Sequence, residues 1–371
     1  MTIYTVQKGD SLYSIGKKYG VTIEQLLNAN GSTVEPTLIV GQAVIIPTAN
    51  ENRKQKLING YAYPNISRDA LLTALPYFSN ISPFSYGVTE DGGLLPIEDS
   101  DIITISESAG VTPFLVVTSL SEEGVFNSQR ASDVLTDDNL SKTLIQNILK
   151  KLESRDYYGV DVDFEYIPPT EKNAYAEFIN KLRQTVSQYG YKTAVSLAPK
   201  TSDAQRGLLY EAHDYEALGK AADYTFIMTY EWGYTYGPPM AIAPIDKVRG
   251  VIEYAVSVIP NNKIILGVPN YAYDWTRPYV QGQRAESMSN IEAVNRARRV
   301  GAQILFDSQA MTPYYTYFKD NTDHIVWFED ARSVSARMEL INEFDLAGLS
   351  VWNIMSAYKP LLTTVNNYFY R

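Results

Sequence analysis

The stretch YGVDVDFEYIPP, residues 158–169, sets Asp161, Asp163 and Glu165 at every second position among valines and a phenylalanine. In an extended strand successive side chains point to opposite faces, so the carboxylates share one face and Val160, Val162 and Phe164 share the other. A solvated edge strand could carry such a pattern. The surroundings favour a buried one, because the stretch runs through a proline pair into an amphipathic helix, as a βα unit does. It is also one of several apolar runs that alternate with helices.

Working outward, the strand candidates are KLINGYAY (56–63), ISPFSYGV (81–88), TPFLVVTS (112–119), GVDVDFEY (159–166), KTAVSLAP (192–199), YTFIMTYE (224–231), KIILGVPN (263–270) and AGLSVWNIM (347–355). Between them apolar residues recur at helical spacing, as in Leu140, Leu144, Ile148 and Leu152, or Tyr175, Phe178, Leu182 and Val186 with Gly190 at the end. Eight β runs alternating with helices over residues 56–371 predict an α/β fold, a (β/α)8 TIM barrel. A doubly wound open sheet is the alternative, but no Gly-rich phosphate loop follows an early strand. An excess of chain before the last strand, about residues 276–330, predicts a small α+β insertion with one helix near NIEAVNRARRVG and three strand-like runs.

Inside such a barrel the acidic face points into the lumen, and chemistry sits at the C-terminal strand ends. Glu165 lies at that end, with Asp163 and Asp161 progressively deeper. Burial and like-charge repulsion should raise at least one of their pKa values, so that Glu165 keeps a proton near neutrality. A glycosidic leaving oxygen needs such an acid. The usual glycosidase also needs a second carboxylate across the scissile bond, and Asp163, on the same strand as the acid, is badly placed to attack.

Residues 1–48 form a separate pattern. IYTVQ reads as a strand, DSLYSIGKKYG as a helix starting at Asp10 or Ser11, TIEQLLNANG as a helix capped by Thr22, and QAVIIP as a closing strand. Gly20 and Gly31 are suitable helix stops. The order is βααβ, and a polar linker, 49–55, follows.

The chain has 371 residues, no cysteine, 45% hydrophobic residues and a formal charge of −10, which fits one large domain plus a small module. No apolar run is long enough to span a membrane, and MTIYTVQKGDSLYSIG lacks the basic and apolar regions of a Sec-type signal peptide. Without cysteine there is no disulfide framework, and the redox compartment is undetermined. The acidic balance argues against binding a nucleic-acid backbone. His213 and His324 are the only histidines, far apart and without ligand spacing, so no metal and no cofactor is expected. The 29 tyrosines and 4 tryptophans could stack on sugars, though core packing accounts for most of them. Nothing demands an interface, and a monomer is expected.

YTVQKGDSLYSIGKKYGVTIEQLLNANG together with LIVGQAVIIP resembles a LysM module over its whole length. The resemblance implies binding of glycans containing N-acetylglucosamine. The groove would lie between the first strand–helix loop, with Gly9, Asp10, Ser11 and Leu12, and the loop before the last strand, with Asn30 and Leu38. Asp10 and Ser11 could equally serve as helix caps.

GVDVDFE resembles the Asp-x-Asp-x-Glu end of the glycoside hydrolase family 18 signature. That family departs from the two-carboxylate rule, the sugar's own acetamido carbonyl serving as nucleophile. The resemblance implies that Asp163 polarises the acetamido group with support from Asp161, and that Glu165 acts first as acid and then as base, with net retention. FIMTYEWGY resembles the family's sixth-strand Met-x-Tyr-Asp motif, with Met228 under the sugar and Tyr230 on the acetamido oxygen. LSVWNIM matches its eighth strand, with Trp352 as the floor under the cleaved sugar. Taken alone, Met228 and Trp352 read more readily as core. The run ILFDSQAMTPYYTYF…HIVWFEDARS resembles a reduced form of the family's insertion. Three departures stand out: Tyr158 where the longer signature begins with Asp, Glu231 where Asp follows Met-x-Tyr, and VVTSLSEEG where Ser-x-Gly-Gly is usual. None removes the acid.

The LysM module before the barrel, MTYEWGYTYGPPMAIAPIDKVRGVIEYA, GVPNYAYDW and VWFEDARS together resemble the spore cortex-fragment-lytic subgroup of endospore formers, whose members often carry two LysM modules. This implies an N-acetylglucosaminidase on peptidoglycan fragments during germination, held in the spore without Sec export. Trp232 and Tyr234 in the loop after Tyr230, and Asn270, Tyr271 and Tyr273 after the seventh strand, are candidate substrate contacts. A chitinase of the same mechanism and a non-catalytic glycan-binding spore-coat protein are the alternatives.

Overall fold

The computed structural model describes residues 1–48, 52–121 and 123–371, so residues 49–51 of the expected linker lie outside the described residues. Eight strands form the barrel: Leu57–Ala62, Asn80–Pro83, Thr112–Thr118, Gly159–Asp163, Lys192–Leu197, Tyr224–Ile227, Ile264–Pro269 and Gly348–Trp352. All pair in parallel, and the ring closes through Leu349↔Ile58 between the eighth and first strands and Asn80↔Thr112 between the second and third. After Pro83 the chain rejoins the third strand at Tyr86↔Val117 and Gly87↔Thr118.

The alternation in the fourth strand sets its two faces. Val160, Val162 and Phe164 are buried in the outer core with Leu144, Ile148 and Leu152 of the helix Asp138–Glu153 and with Tyr175, Phe178 and Leu182 of the helix Lys172–Val186. Each such side chain contributes about 1.5–3 kcal/mol by leaving water. Helix periodicity and strand periodicity meet at this surface, which holds the strand in register. On the lumen side Phe114, Tyr158, Ala194, Tyr224, Phe226 and Ile265 fill the lower barrel, with Phe114 and Tyr158 rings 5.1 Å apart and the hydroxyls of Tyr158 and Tyr224 at 3.2 Å. The base of the barrel is therefore packed rather than open, and the carboxylates stand above it.

The insertion carries a five-stranded antiparallel sheet of Ala272–Arg277, Glu286–Met288, Leu305–Asp307, Thr312–Lys319 and Thr322–Trp327, with the helix Asn290–Val300. The sheet begins at Ala272, ahead of the expected 276, and has five strands where three runs are legible. Glu286–Met288 and Leu305–Asp307 have three residues each, too few to leave a period of two.

The N-terminal module pairs Thr2–Thr5 with Ala43–Ile46 in antiparallel fashion around the helices Leu12–Tyr19 and Ile23–Asn30. Ser11 and Thr22 cap these helices in reciprocal capping boxes. Asp10 is not the cap: its carboxylate accepts from the Gln7 N–H and the Tyr4 hydroxyl, both at 2.7 Å, and tightens the preceding turn.

The module is docked on the catalytic domain. Arg298 of the insertion helix donates to the carbonyls of Thr33 (2.6 Å) and Thr37 (2.9 Å), Arg332 donates to Gly41 O (3.2 Å), and Thr363 donates to Ala29 O (2.8 Å). Gly41 is required there, since a Cβ would fall 1.8 Å from Ile304 O. Arg332 lies in the first turn of the helix Ala331–Glu343 and Thr363 in the N-terminal half of the helix Lys359–Tyr368, and the two helices flank the eighth strand. Helices of a βα barrel start at the C-terminal ends of the strands, so the module sits toward the catalytic rim.

Candidate active site

The acidic file rises from the packed base of the lumen. Asp161 is fully buried; it accepts from Tyr61 Oη at 2.6 Å and from Ser196 Oγ at 3.1 and 3.2 Å. Burial pushes its pKa up to about 6, with the two hydroxyl donors pulling the other way. Asp163, one step higher, is 5% exposed, and its Oδ1 is buried without a hydrogen-bond partner. Burial, then the charges of Glu165 and Asp161, push its pKa well above the ordinary carboxylate range. A buried acceptor left open at the top of such a file is a place for a ligand donor.

Glu165 lies two residues past the last residue of its strand, Asp163, and is half-buried. Burial, then the Glu231 carboxylate, raise its pKa to about 7. Among the described residues no lysine, arginine or histidine forms an ion pair with Asp161, Asp163 or Glu165. Desolvation without a compensating cation favours the protonated form of a carboxyl.

Elements from around the rim face this file. Tyr230 follows the sixth strand; burial and the charges of Asp163 and Glu165 raise its pKa, so its hydroxyl remains a donor. Met228 is half-buried, and its N–H donates to Leu197 O at 2.9 Å. Trp352 at the end of the eighth strand makes edge-to-face contacts with Phe84 (4.7 Å), Tyr61 (5.3 Å) and Tyr63 (5.8 Å). The backbone is left-handed at both Tyr166 (φ 57°) and Glu231 (φ 66°), the residues that turn the chain away from the fourth and sixth strands. Each costs of order 1–3 kcal/mol and persists only where its surroundings hold it.

Glu231 accepts from the hydroxyls of Tyr271 and of Tyr273, the latter at 3.1 Å. Glu231 thereby ties the loop after the sixth strand to the segment that follows the seventh strand and opens the insertion. Trp232 is half-buried against the main core, and Tyr234 is exposed at the mouth. Asn270, a candidate substrate contact, is 4% exposed and, unlike Asp163, has its amide engaged by the protein on both sides. Its Nδ2 donates to Asn353 O (2.8 Å) and Ser356 O (3.0 Å), and its Oδ1 accepts from Asn290 Nδ2 at 3.2 Å. It holds the loop after the eighth strand.

In the module, Gly9 (φ 92°) and Ser11 are exposed, and Asp10, Leu12 and Leu38 are half-buried. Asn30 is fully buried: its amide donates to Leu26 O and Ile45 O and accepts from Ile45 N–H. It joins the second helix to the closing strand and does not face a groove. Tyr61, Ser196, Tyr63 and Phe84 belong to the site and carried no motif. Tyr61 and Ser196 stand on the first and fifth strands, and Tyr63 and Phe84 directly follow the first and second; their one signal is a polar or aromatic residue within or beside a strand run.

A closed parallel barrel with an uncompensated acidic file at the C-terminal end of its fourth strand, under an aromatic floor and with tyrosine donors around it, defines a glycoside hydrolase of the TIM-barrel class. The chain belongs to glycosyl hydrolases family 18, whose family model matches residues 118–357, and it carries a LysM domain at residues 4–47. It is 35% identical over 409 residues to the cortical fragment-lytic enzyme of Bacillus subtilis (strain 168), covering 95% of each chain. It is 32% identical to the putative sporulation-specific glycosylase YdhD of the same organism, covering 96% of this chain and 85% of that one. The crystal structure of the Bacillus cereus spore cortex-lytic enzyme SleL superposes with a TM-score of 0.93 at 31% identity, covering 99% of this chain and 98% of the other. Family 18 and LysM together indicate binding of glycans that contain N-acetylglucosamine. Among the described residues no helix is long and apolar enough to cross a membrane.

Proposed function

We propose that the protein is a retaining N-acetylglucosaminidase that cleaves cortex peptidoglycan fragments in the spore, with the LysM module holding the glycan. The observation that carries the chemistry is the Asp161–Asp163–Glu165 file, without a cation, in which burial and the Glu231 charge push the Glu165 pKa up to about 7. The substrate reading is supported by relatives named as cortical fragment-lytic and spore cortex-lytic enzymes that match this chain along nearly its whole length.

In the proposed reaction the protonated Glu165 carboxyl gives its proton to the glycosidic oxygen as the bond to the anomeric carbon breaks. The acetamido carbonyl oxygen of the same sugar bonds to that carbon and forms an oxazolinium ion. Asp163, which has an acceptor free, takes the acetamido N–H and stabilises the positive charge that develops there. Asp161, held by Tyr61 and Ser196, keeps Asp163 at the top of the file. Tyr230 donates to the acetamido oxygen, and Trp352 packs under the sugar ring. Glu165, now a carboxylate, takes a proton from water, whose oxygen attacks the anomeric carbon from the face the leaving group left. The oxazolinium reopens, and configuration is retained.

Mass spectrometry of products from cortex muropeptides and from chitin oligosaccharides, with wild type and Glu165→Gln, tests this reading. Wild type is expected to cut muropeptides after N-acetylglucosamine and to leave chitin largely intact, and Glu165→Gln to cut neither. Cleavage of chitin instead would keep the mechanism and reject the substrate. Equal activity of the two proteins would reject Glu165 as the acid.

A further inference from the structure

His213 takes no part in the reaction described above, yet it is hydrogen-bonded to the carbonyl of Phe164, the residue before the acid. It precedes the helix Tyr215–Ala221 and is 1% exposed. The Ala198 N–H donates to its Nδ1 at 2.8 Å, and its Nε2 lies 3.1 Å from the carbonyl oxygen of Phe164. A backbone N–H can only donate, so Nδ1 is the bare nitrogen and the proton sits on Nε2, which donates to Phe164 O. Burial lowers the imidazole's pKa to about 4, and this tautomer persists at neutral pH.

The position of the bridge gives it meaning. Pairing of the fourth strand with the fifth ends at Val162↔Val195. Farther along, the Phe164 carbonyl and the Ala198 N–H each lie beyond the ladder, and the imidazole spans the two. Without it, both would be buried backbone groups short of a partner. The backbone on either side is held as well, because the His213 carbonyl accepts from Lys200 Nζ at 3.0 Å and the Tyr215 hydroxyl donates to Ala198 O at 2.7 Å, and the Tyr175 ring lies 6.0 Å from the imidazole. The Phe164 ring stacks between Tyr175 (6.1 Å) and Phe178 (5.9 Å), so this residue is gripped at both ring and carbonyl. The next residue is Glu165, and the one after it turns left-handed.

We infer that His213 is a positioning residue for Glu165, replacing the ladder rung lost where the fourth and fifth strands part and fixing the peptide from which the carboxyl projects. The inference rests on the reading of Glu165 as the proton donor.

Two readouts test it on the full chain, with His213→Leu, His213→Gln and Glu165→Gln as variants. In protein labelled with carbon-13 at the glutamate carboxyls, the Glu165 resonance is the one absent from Glu165→Gln, and its titration needs no substrate. In His213→Leu its midpoint should fall from about 7 toward the ordinary glutamate range, as the freed peptide lets the carboxyl reach water. A glutamine amide both donates and accepts, and His213→Gln should restore most of the wild-type midpoint. On cortex muropeptides His213→Leu should lose about 100-fold in kcat with little change in KM, the cost of a misplaced reacting group. His213→Gln should recover most of that loss. An unchanged midpoint in His213→Leu overturns the inference, as does a loss that falls in KM alone or that glutamine does not recover. If His213→Leu does not fold, His213→Asn, polar but too short to span both groups, takes its place under the same criteria. Wild-type turnover in Glu165→Gln would instead reject the acid and leave the midpoint to decide on His213.

Discussion

Two groups of buried carboxylates in this molecule are treated in opposite ways. Around the insertion, Glu329 is bound by both guanidinium nitrogens of Arg337 at 2.8 and 3.1 Å, Asp274 by Arg296 at 2.6 Å, and Asp330 by Arg332 at 2.7 Å. Tyr317 and His324 complete the shell of Asp274. In the lumen Asp161 has only hydroxyl donors, and Asp163 Oδ1 has none. Burial lifts the pKa of Glu329 too, but there Arg337 opposes it, whereas no cation opposes it at Asp163 or Glu165. The carboxylates around the insertion are matched to arginines, while Asp99, buried outside both groups, accepts from the Tyr86 hydroxyl at 2.8 Å. The carboxylates that must hold or orient a proton are left to desolvation.

The comparison is broken or kept by removing one member from each group. Glu165→Gln should lower kcat on muropeptides by about 100- to 10,000-fold, the usual contribution of general acid–base catalysis. Substrate binding, measured by calorimetry, should be nearly unchanged. Arg337→Met leaves Glu329 buried without its cation and should destabilise the fold by about 3–5 kcal/mol in urea titration. Replacing Glu329 as well, with a methionine, should recover much of that. If Glu165→Gln costs stability rather than rate, or Arg337→Met costs rate rather than stability, the division of roles fails.

The fourth-strand file was legible because its carboxylates share one short run in which period two and an apolar opposite face coincide. The barrel followed from the alternation of such runs with helical spacing. Tyr61 and Ser196 were not legible as partners of Asp161, since they stand 100 and 35 residues away and only closure of the sheet brings them to it. Asn270 and Asn30 misled for a different reason. An asparagine beside an expected groove reads as a ligand contact, but irregular backbone leaves carbonyls and N–H groups that need partners, and a short amide is the side chain that supplies them. The short strands of the insertion carry too little pattern to read, and their sheet is built by pairing.

The lumen group should also show itself in stability against pH. A carboxyl whose pKa rises from its ordinary value to about 7 on folding binds its proton more tightly in the folded state. Between those values the folded protein carries more protons than the unfolded one, so stability falls as pH rises, and the whole penalty is present above the folded value. Glu165→Gln removes it. The variant should match wild type near about pH 4 and exceed it by about 1–3 kcal/mol near about pH 8, a range set below the full shift because water reaches part of this carboxyl. Urea midpoints at the two pH values measure the difference. A gain of equal size at both would mean that the Glu165 carboxyl is not the group that titrates.

The smallest expected effect probes the second carboxylate at the rim. The charge of Glu231 adds to burial in raising the pKa of Glu165, and the hydroxyls of Tyr271 and Tyr273 favour the ionised form of Glu231 against its own desolvation. Glu231→Gln deletes the repulsion while preserving an oxygen that can accept from both tyrosines. The Glu165 pKa should then fall, its acid form should be lost earlier as pH rises, and the alkaline limb of the kcat profile should move down by a few tenths of a pH unit to about one. Because the acid form is needed, activity at about pH 8 drops more than activity at about pH 5. A limb that stays in place would mean that Glu231 is already protonated across this range. The lumen would then hold a second proton at its rim, and burial alone would set the acidity of Glu165.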